Sequence, residues 1–367
     1  MALTEEQQLL ADSAERYLRD TYDFNDRRER CQTGRYRSPE HWRAFADMGW
    51  LALLIPEAQG GLGFGLRDLA ILAELCGRYL VNEPLLEASL STRAFLCASA
   101  DTATLLAEVA EGSLVPVAAV QEPDHSAATE PRTTLLAEGN GWRLSGEKVF
   151  VSAGASATHF VVSASGPDGL HWVLVPADGS GITVDRYPTH DGRGGANLRL
   201  DMALSQDHVL VSGEEALAAL ACYREMAMLS ASAESLGAMH AALDTTVEYT
   251  KQRVQFGQPL ASFQALQHRM ANMLIQIELA RSLVYAACDA YDQVSADRGI
   301  FARAAKAKSA LIAKRVTQEA IQLHGGIATT DEYIVGHFFK RVTALQSWVC
   351  SRGEALQEFM QLNAIHS

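Results

Sequence analysis

Nowhere in the 367 residues does an apolar run approach the roughly 20 residues that a membrane-spanning helix needs. The first residues, Met1 to Gln8, lack a basic stretch followed by an apolar one, so a secretory leader is not expected. Basic residues are in short supply: 31 Lys and Arg stand against 44 Asp and Glu, a net charge of −13. That deficit argues against nucleic acid or an anionic membrane as partner. It does not exclude an anionic cofactor, which needs only local donors. Paired cysteines are missing too. Cys31, Cys76, Cys97, Cys222, Cys288 and Cys350 are scattered, with no CxxC and no histidine-rich neighbourhood. They read as free thiols of a reducing compartment, the location expected is cytoplasmic, and no metal site is expected.

What is present is ordinary globular composition, 48% hydrophobic and 20% charged, in a length that suits two or three domains. Periodicity divides the chain into three zones, an α+β multidomain layout. Residues 1–114 form a helical domain, with Leu9, Leu10, Ala14 and Leu18 on one face of a first helix and Leu69, Leu72, Leu75 and Cys76 on another. Residues 115–212 carry short β-rich runs at 115–120, 141–144, 148–152, 160–163, 172–175 and 181–184, punctuated by turns such as Gly139-Asn140-Gly141. They predict a small central antiparallel β-barrel or sandwich, with the barrel as the expected form. Residues 213–367 return to helical spacing, and the pattern predicts a four-helix bundle with helices near 214–253, 263–294, 300–324 and 347–364.

Five stretches then carry a resemblance. They are Pro56 to Gly63, Gln121-Glu122-Pro123 with Ser126, Ser145 to Ser152, Arg253 to Gly257 with Phe263-Gln264, and Gln322 to Gly326. In this order and spacing the chain resembles the acyl-CoA dehydrogenase family over essentially its whole length. The resemblance implies FAD as cofactor, an acyl-CoA thioester as substrate, and α,β-dehydrogenation in fatty acid or steroid side-chain β-oxidation. It also implies a dimer or tetramer and an electron-transfer flavoprotein as electron acceptor.

By the same resemblance, Arg253 reaches the FAD of a neighbouring subunit, with Gln255, Phe256 and Gln264 at matching positions. A guanidinium can grip a pyrophosphate through two parallel hydrogen bonds, which lysine cannot copy. Gln322 and Gly326 face the adenosine-pyrophosphate half, and Gly325 with Gly326 can cap a helix and admit a ligand to the backbone. Ser126 falls on the serine that contacts the flavin phosphates, in a loop one residue shorter than usual. Gln121 replaces a more usual threonine or serine near the ring. Phe150 stands where a tryptophan packs on the isoalloxazine, and Ser152 where a hydroxyl meets its N5.

The family reaction needs a carboxylate to take a weakly acidic α-proton. One family position for that base falls on Val349 and the other on Ala227, and neither side chain accepts a proton. Two acids are weak alternatives. Glu225 lies roughly 200° around the helix from Ala227, and Glu234 roughly 10 Å along it on the same face. An arginine-aspartate pair common in the family is replaced by Lys340-Arg341. The segment Thr330 to Arg341, with Asp191-Gly192-Arg193, is similar to the small subunit of pimeloyl-CoA dehydrogenase and to subunits of heteromeric steroid acyl-CoA dehydrogenases. That likeness implies an α2β2 assembly in which a paralogous partner supplies the base. The alternatives are a homomeric flavoenzyme with a relocated base and a non-catalytic scaffold subunit.

Overall fold

The computed structural model describes residues 3–123 and 128–365. Six helices come first: α1 (Glu5–Thr21), α2 (Phe24–Gln32), α3 (Pro39–Asp47), α4 (Leu66–Tyr79), α5 (Leu85–Ser91) and α6 (Ala103–Ala110). Eight strands follow: β1 (Pro116–Ala119), β2 (Thr134–Glu138), β3 (Gly141–Ser152), β4 (His159–Gly166), β5 (Gly169–Pro176), β6 (Ile182–Tyr187), β7 (Gly195–Leu204) and β8 (Val209–Ser212). The remainder is helical apart from a two-stranded hairpin, β9 (Val254–Gln255) and β10 (Gln258–Pro259). Its helices are α7 (Gly213–Gln252), α8 (Gln264–Asp292), α9 (Arg298–His324), α10 (Ile334–Ser347) and α11 (Arg352–Ile365). These elements group into two compact units. One takes Met1–Glu29, Leu66–Val81 and Glu225–Ser367, and the other takes Arg30–Gly65 and Asn82–Arg224.

In the first unit, α1 starts at a reciprocal cap. The Thr4 hydroxyl accepts from the Gln7 amide, and the Gln7 side chain accepts from the Thr4 amide, both at 3.2 Å. Two orphan amides of the first turn are satisfied this way. Gln7 then donates to Asp68 of α4 at 2.9 Å. Ala14 and Leu18 are fully buried, as the spacing predicts, whereas Leu9 is 66% exposed. The inward face of α1 is set by Gln7, Ala14 and Leu18, because the polar tie at Gln7 outranks the apolar pattern at Leu9.

Helices α4 and α7 cross where neither carries a side chain. A Cβ on Gly77 would sit 1.9 Å from the Glu234 carbonyl oxygen, and one on Gly237 would sit 1.7 Å from that of Glu74. Only glycine permits backbones to meet this closely. Among the described residues the region 213–367 holds five helices rather than the expected bundle of four, since α10 lies in a stretch where no helix is expected. Its buried residues Val335, Phe338, Val342 and Leu345 do carry helical spacing. Lys306, 2% exposed, reaches the end of α10 and donates to the Leu345 carbonyl at 2.6 Å and the Trp348 carbonyl at 3.1 Å. Burial lowers its pKa to about 8.

The second unit is built on one mixed sheet in the order β6-β7-β3-β2-β4-β5-β8, with β1 added parallel to β4. The expected antiparallel barrel is corrected here: among the described residues β6 and β8 end the path and do not pair, so the sheet is open. Alternation and turns reveal strands, but not whether two edges meet. The predicted runs at 141–144 and 148–152 are one strand, β3, while β2, β7 and β8 were not expected. Lys148, fully buried, donates to Glu122 at 2.7 Å and to Ser163 at 2.9 Å. Burial outweighs the Glu122 carboxylate and brings its pKa down to about 8. Glu122 also accepts from the amides of Arg132 at 2.7 Å and Thr133 at 2.9 Å.

Candidate functional site

In the β unit the site grows out of a bulge. Between β3 and β7 the register runs Lys148 to Leu198 and resumes Val151 to Ala196, so Val149 and Phe150 together oppose Asn197. A bulge bends a strand and re-aims its side chains. Phe150 takes a left-handed backbone with φ of 52°, and its ring is 68% exposed. Its amide donates to the Asn197 side chain at 3.2 Å. The Val149 amide donates to the Gln121 carbonyl at 2.8 Å, which fixes Gln121 beside the bulge. Two residues past it, the Ser152 hydroxyl donates to the Glu87 carboxylate at 3.0 Å. Gln121, Phe150 and Ser152 therefore share one locality, while Ser126 lies outside the described residues. Glu87 and Asn197 are absent from the sequence-based set. In a pattern reading, Glu87 of α5 resembles a solvated helix acid, yet it is 1% exposed.

In the helical unit the other predicted residues gather at one end. Tyr249, near the end of α7, donates to the His324 carbonyl at 3.2 Å, and their rings stack at 4.4 Å. This contact brings the C-terminal ends of α7 and α9 together. The Arg253 amide continues α7 by donating to Tyr249 at 2.8 Å, and its carbonyl accepts from Leu260 at 2.8 Å to close the hairpin. Gln255 pairs with Gln258 across a two-residue turn made of Phe256 and Gly257, with φ of 53° and 80°. Such a turn demands positive φ at both residues, and a non-glycine there costs about 1–2 kcal/mol. Phe256 is 92% exposed and touches Phe263 edge-on at 6.2 Å, one residue before Gln264 begins α8.

Gln322 is exposed on the last turn of α9, which stops at Gly325 with φ 69° and ψ −147°, a region essentially reserved for glycine. A Cβ on either Gly325 or Gly326 would meet nothing within 4 Å, so the backbone there is open to an approaching group. A separate cavity of about 450 Å³ in this unit is lined by Glu15, Glu74, Arg78, His240, Arg281 and Tyr285, among others, and by none of the predicted residues. Its polar groups pair with each other: Arg281 and Tyr285 both donate to Glu74, Tyr285 at 3.1 Å.

The positions expected for the base, and the two alternative acids, lie as follows. Ala227 is fully buried on α7. Val349 is half-buried between α10 and α11 in a left-handed backbone, φ 70°. Glu234 is fully buried and bound to Arg341, also fully buried, at 2.7 Å, and Arg341 donates to the Val81 carbonyl at 2.9 Å. Glu225 faces Arg298 at 3.1 Å and Arg303 at 3.8 Å, and Arg303 continues to Glu358 at 2.8 Å. Both weak candidates are thus tied into ion pairs between helices of their own unit. Among the described residues no group of three or more His, Cys, Asp or Glu is placed to hold a metal, and no helix is long and apolar enough to cross a membrane.

Comparison with known proteins agrees with this layout. The acyl-CoA dehydrogenase N-terminal, middle and C-terminal domain families match residues 4–103, 118–205 and 224–349 in that order. Acyl-CoA dehydrogenase IpdE2 of Mycobacterium tuberculosis is 35% identical over 301 residues, covering 82% of this chain and 79% of that protein. Its counterpart in Mycolicibacterium smegmatis is 31% identical over 310 residues, covering 83% and 81%. A solved structure of a variant of the Tcur3481-Tcur3483 steroid ACAD superposes with a TM-score of 0.87 at 31% identity over 99% of this chain and 98% of that one. The chain belongs to the acyl-CoA dehydrogenase family of flavoprotein oxidoreductases.

Proposed function

We propose that this chain is an FAD-holding subunit of an acyl-CoA dehydrogenase whose catalytic base comes from a paralogous partner in an α2β2 assembly. One observation carries the reading: both family base positions hold apolar side chains, Val349 and Ala227, while Glu234 is committed to Arg341 at 2.7 Å. One oxygen of Glu234 is engaged by a fully buried guanidinium, which supports a structural role for this carboxylate. The similarity to the Tcur3481-Tcur3483 steroid ACAD at 31% identity supports both the second subunit and a steroid-derived acyl-CoA as substrate.

The residues present suit a flavin dinucleotide. Two aromatic side chains, Phe150 and Phe256, are held exposed on left-handed backbone, each waiting for a flat apolar cover. Gly325 and Gly326 leave room for a ligand at their amides, and Arg253 supplies a guanidinium for a pyrophosphate. Bound FAD supplies the two-electron acceptor for the dehydrogenation. Gln121, Ser126, Phe150 and Ser152 act on the ring and phosphates from the β domain. Arg253, Gln255, Phe256, Gln264, Gln322, Gly325 and Gly326 act on the dinucleotide from the helical domain of a neighbouring subunit. In this reading the domains are residues 1–114, 115–212 and 213–367. The protein works in the cytoplasm and passes electrons to an electron-transfer flavoprotein.

The test is reconstitution. Purified alone, the chain is expected to show no acyl-CoA-dependent dye reduction, and co-expression with a base-bearing paralogue is expected to restore it. Turnover at ordinary family rates by the single polypeptide would overturn the reading.

A further inference from the structure

We infer that Glu87 is a positioning residue that fixes the Ser152 hydroxyl as a hydrogen-bond acceptor toward the flavin ring; the inference rests on the FAD reading above. Glu87, in α5, is 1% exposed, and one of its oxygens, Oε1, serves two donors. The Ser152 hydroxyl reaches it at 3.0 Å and the Arg193 guanidinium at 3.2 Å. Arg193 is itself 4% exposed. The other oxygen, Oε2, is buried with no hydrogen-bond partner among the described residues.

The second donor on the same oxygen, the Ser152 hydroxyl, separates the arrangement from a plain structural ion pair. A carboxylate kept only to neutralise an arginine gains most from two parallel hydrogen bonds, one per oxygen. Here one oxygen is shared between arginine and serine, and its twin bears the full desolvation cost of an unpaired buried acceptor, on the order of 1–3 kcal/mol.

The consequence lies in the proton inventory of Ser152. A serine hydroxyl has one hydrogen and two lone pairs, and an ionised carboxylate can only accept. With its hydrogen committed to Glu87, Ser152 has only lone pairs to offer any other neighbour. It sits two residues beyond the bulge that turns Phe150 outward, on the stretch that faces the cofactor in the FAD reading. A lone pair there favours a ring nitrogen that carries hydrogen and disfavours one that does not. Glu87 therefore biases the bound cofactor toward its reduced form, and Arg193 balances the charge of the carboxylate so that its field does not oppose this.

A double-mutant cycle on the midpoint potential of the bound flavin tests the inference. The potential is measured spectroelectrochemically in the FAD-loaded protein for wild type, Glu87→Ala, Ser152→Ala and the double variant. Removing Glu87 frees the hydroxyl to donate. The change in potential should then be more negative with Ser152 present than in the Ser152→Ala background, where only the lost negative charge acts, and acts upward. The expected difference is roughly tenfold in the oxidised-to-reduced ratio, about 30 mV for a two-electron couple. Equal shifts in the two backgrounds would overturn the role of Glu87 while leaving FAD binding intact. A wild-type protein free of 450 nm absorbance would overturn the FAD reading itself and this inference with it. Should Glu87→Ala not fold, Glu87→Gln, which keeps the volume but can turn its amide donor toward the hydroxyl, is run through the same cycle and read by the same criterion.

Discussion

Glu234 and Arg341 are 107 positions apart and both fully buried, bound at 2.7 Å. Each is noticeable in the sequence, one as a stray acid on a long helix and one as a departure from the family pattern. Their partnership was not legible, because it depends on how α10 packs against α7. Removing one partner leaves an uncompensated buried charge, so Arg341→Met is expected to cost roughly 3–5 kcal/mol in urea denaturation. Replacing both residues by apolar ones of similar volume should cost much less, since desolvation of the pair is then avoided. A base at Glu234 would give the opposite pattern: Glu234→Gln would leave stability unchanged and abolish turnover. The two buried lysines give a pH signature. Lys306 has a folded-state pKa of about 8, below its ordinary value of 10.5. Between these values the unfolded chain binds more protons, so the contribution of Lys306 to stability rises with pH through that window. The stability gap between wild type and Lys306→Met, measured at pH 7.5, 9 and 10, is expected to shift in favour of wild type as pH rises. A flat gap would contradict neutralisation of a buried ammonium.

At the scale of elements, the long helices α7, α8 and α9 fall within a few residues of the sequence expectation, because sustained apolar spacing plus the Gly325 stop defines them. Strand β7 shows strict alternation, with Ala196, Leu198, Leu200, Met202 and Leu204 buried and Arg199, Asp201 and Ala203 exposed. The period-2 signal was available there, although the expected strands ended at Val184. The bulge at Val149 and Phe150 was not legible, because it is set by pairing with a strand some fifty residues away. Nor was the α4 and α7 crossing, since Gly77 and Gly237 look like tolerated helix glycines until the two helices meet. Gly237→Ala would drive a methyl group into the Glu74 carbonyl, where the gap is 1.7 Å. Neither backbone can yield without separating the helices, so a loss above about 2 kcal/mol is expected. Thermal and chemical denaturation check it, with Gly257→Ala as a comparison in a position with open space but positive φ. If Gly237→Ala proves no worse than Gly257→Ala, the close crossing is not a feature of the folded protein.

For the whole molecule, the order of helical, β and helical zones was legible because the hydrophobic period changes twice along the chain. The residues proposed for the flavin fall into two separate sets, each resting on a local motif, a bulged strand in one unit and two helix ends in the other. At the two positions where the resemblance places the base, Ala227 and Val349 offer no proton acceptor, and Glu234 and Glu225 are tied to arginines. If FAD depends on the helical set, Arg253→Ala should lower flavin content per chain at least tenfold in the purified protein, read at 450 nm, without altering the melting temperature of the flavin-free chain. Proton removal from the substrate can be measured apart from any redox step. The FAD-loaded chain, without a partner, is incubated in D2O with an acyl-CoA and the α-carbon is followed by mass spectrometry. The account predicts no deuterium uptake above the buffer rate until a base-bearing subunit is added. Catalysed exchange by this chain alone would contradict it.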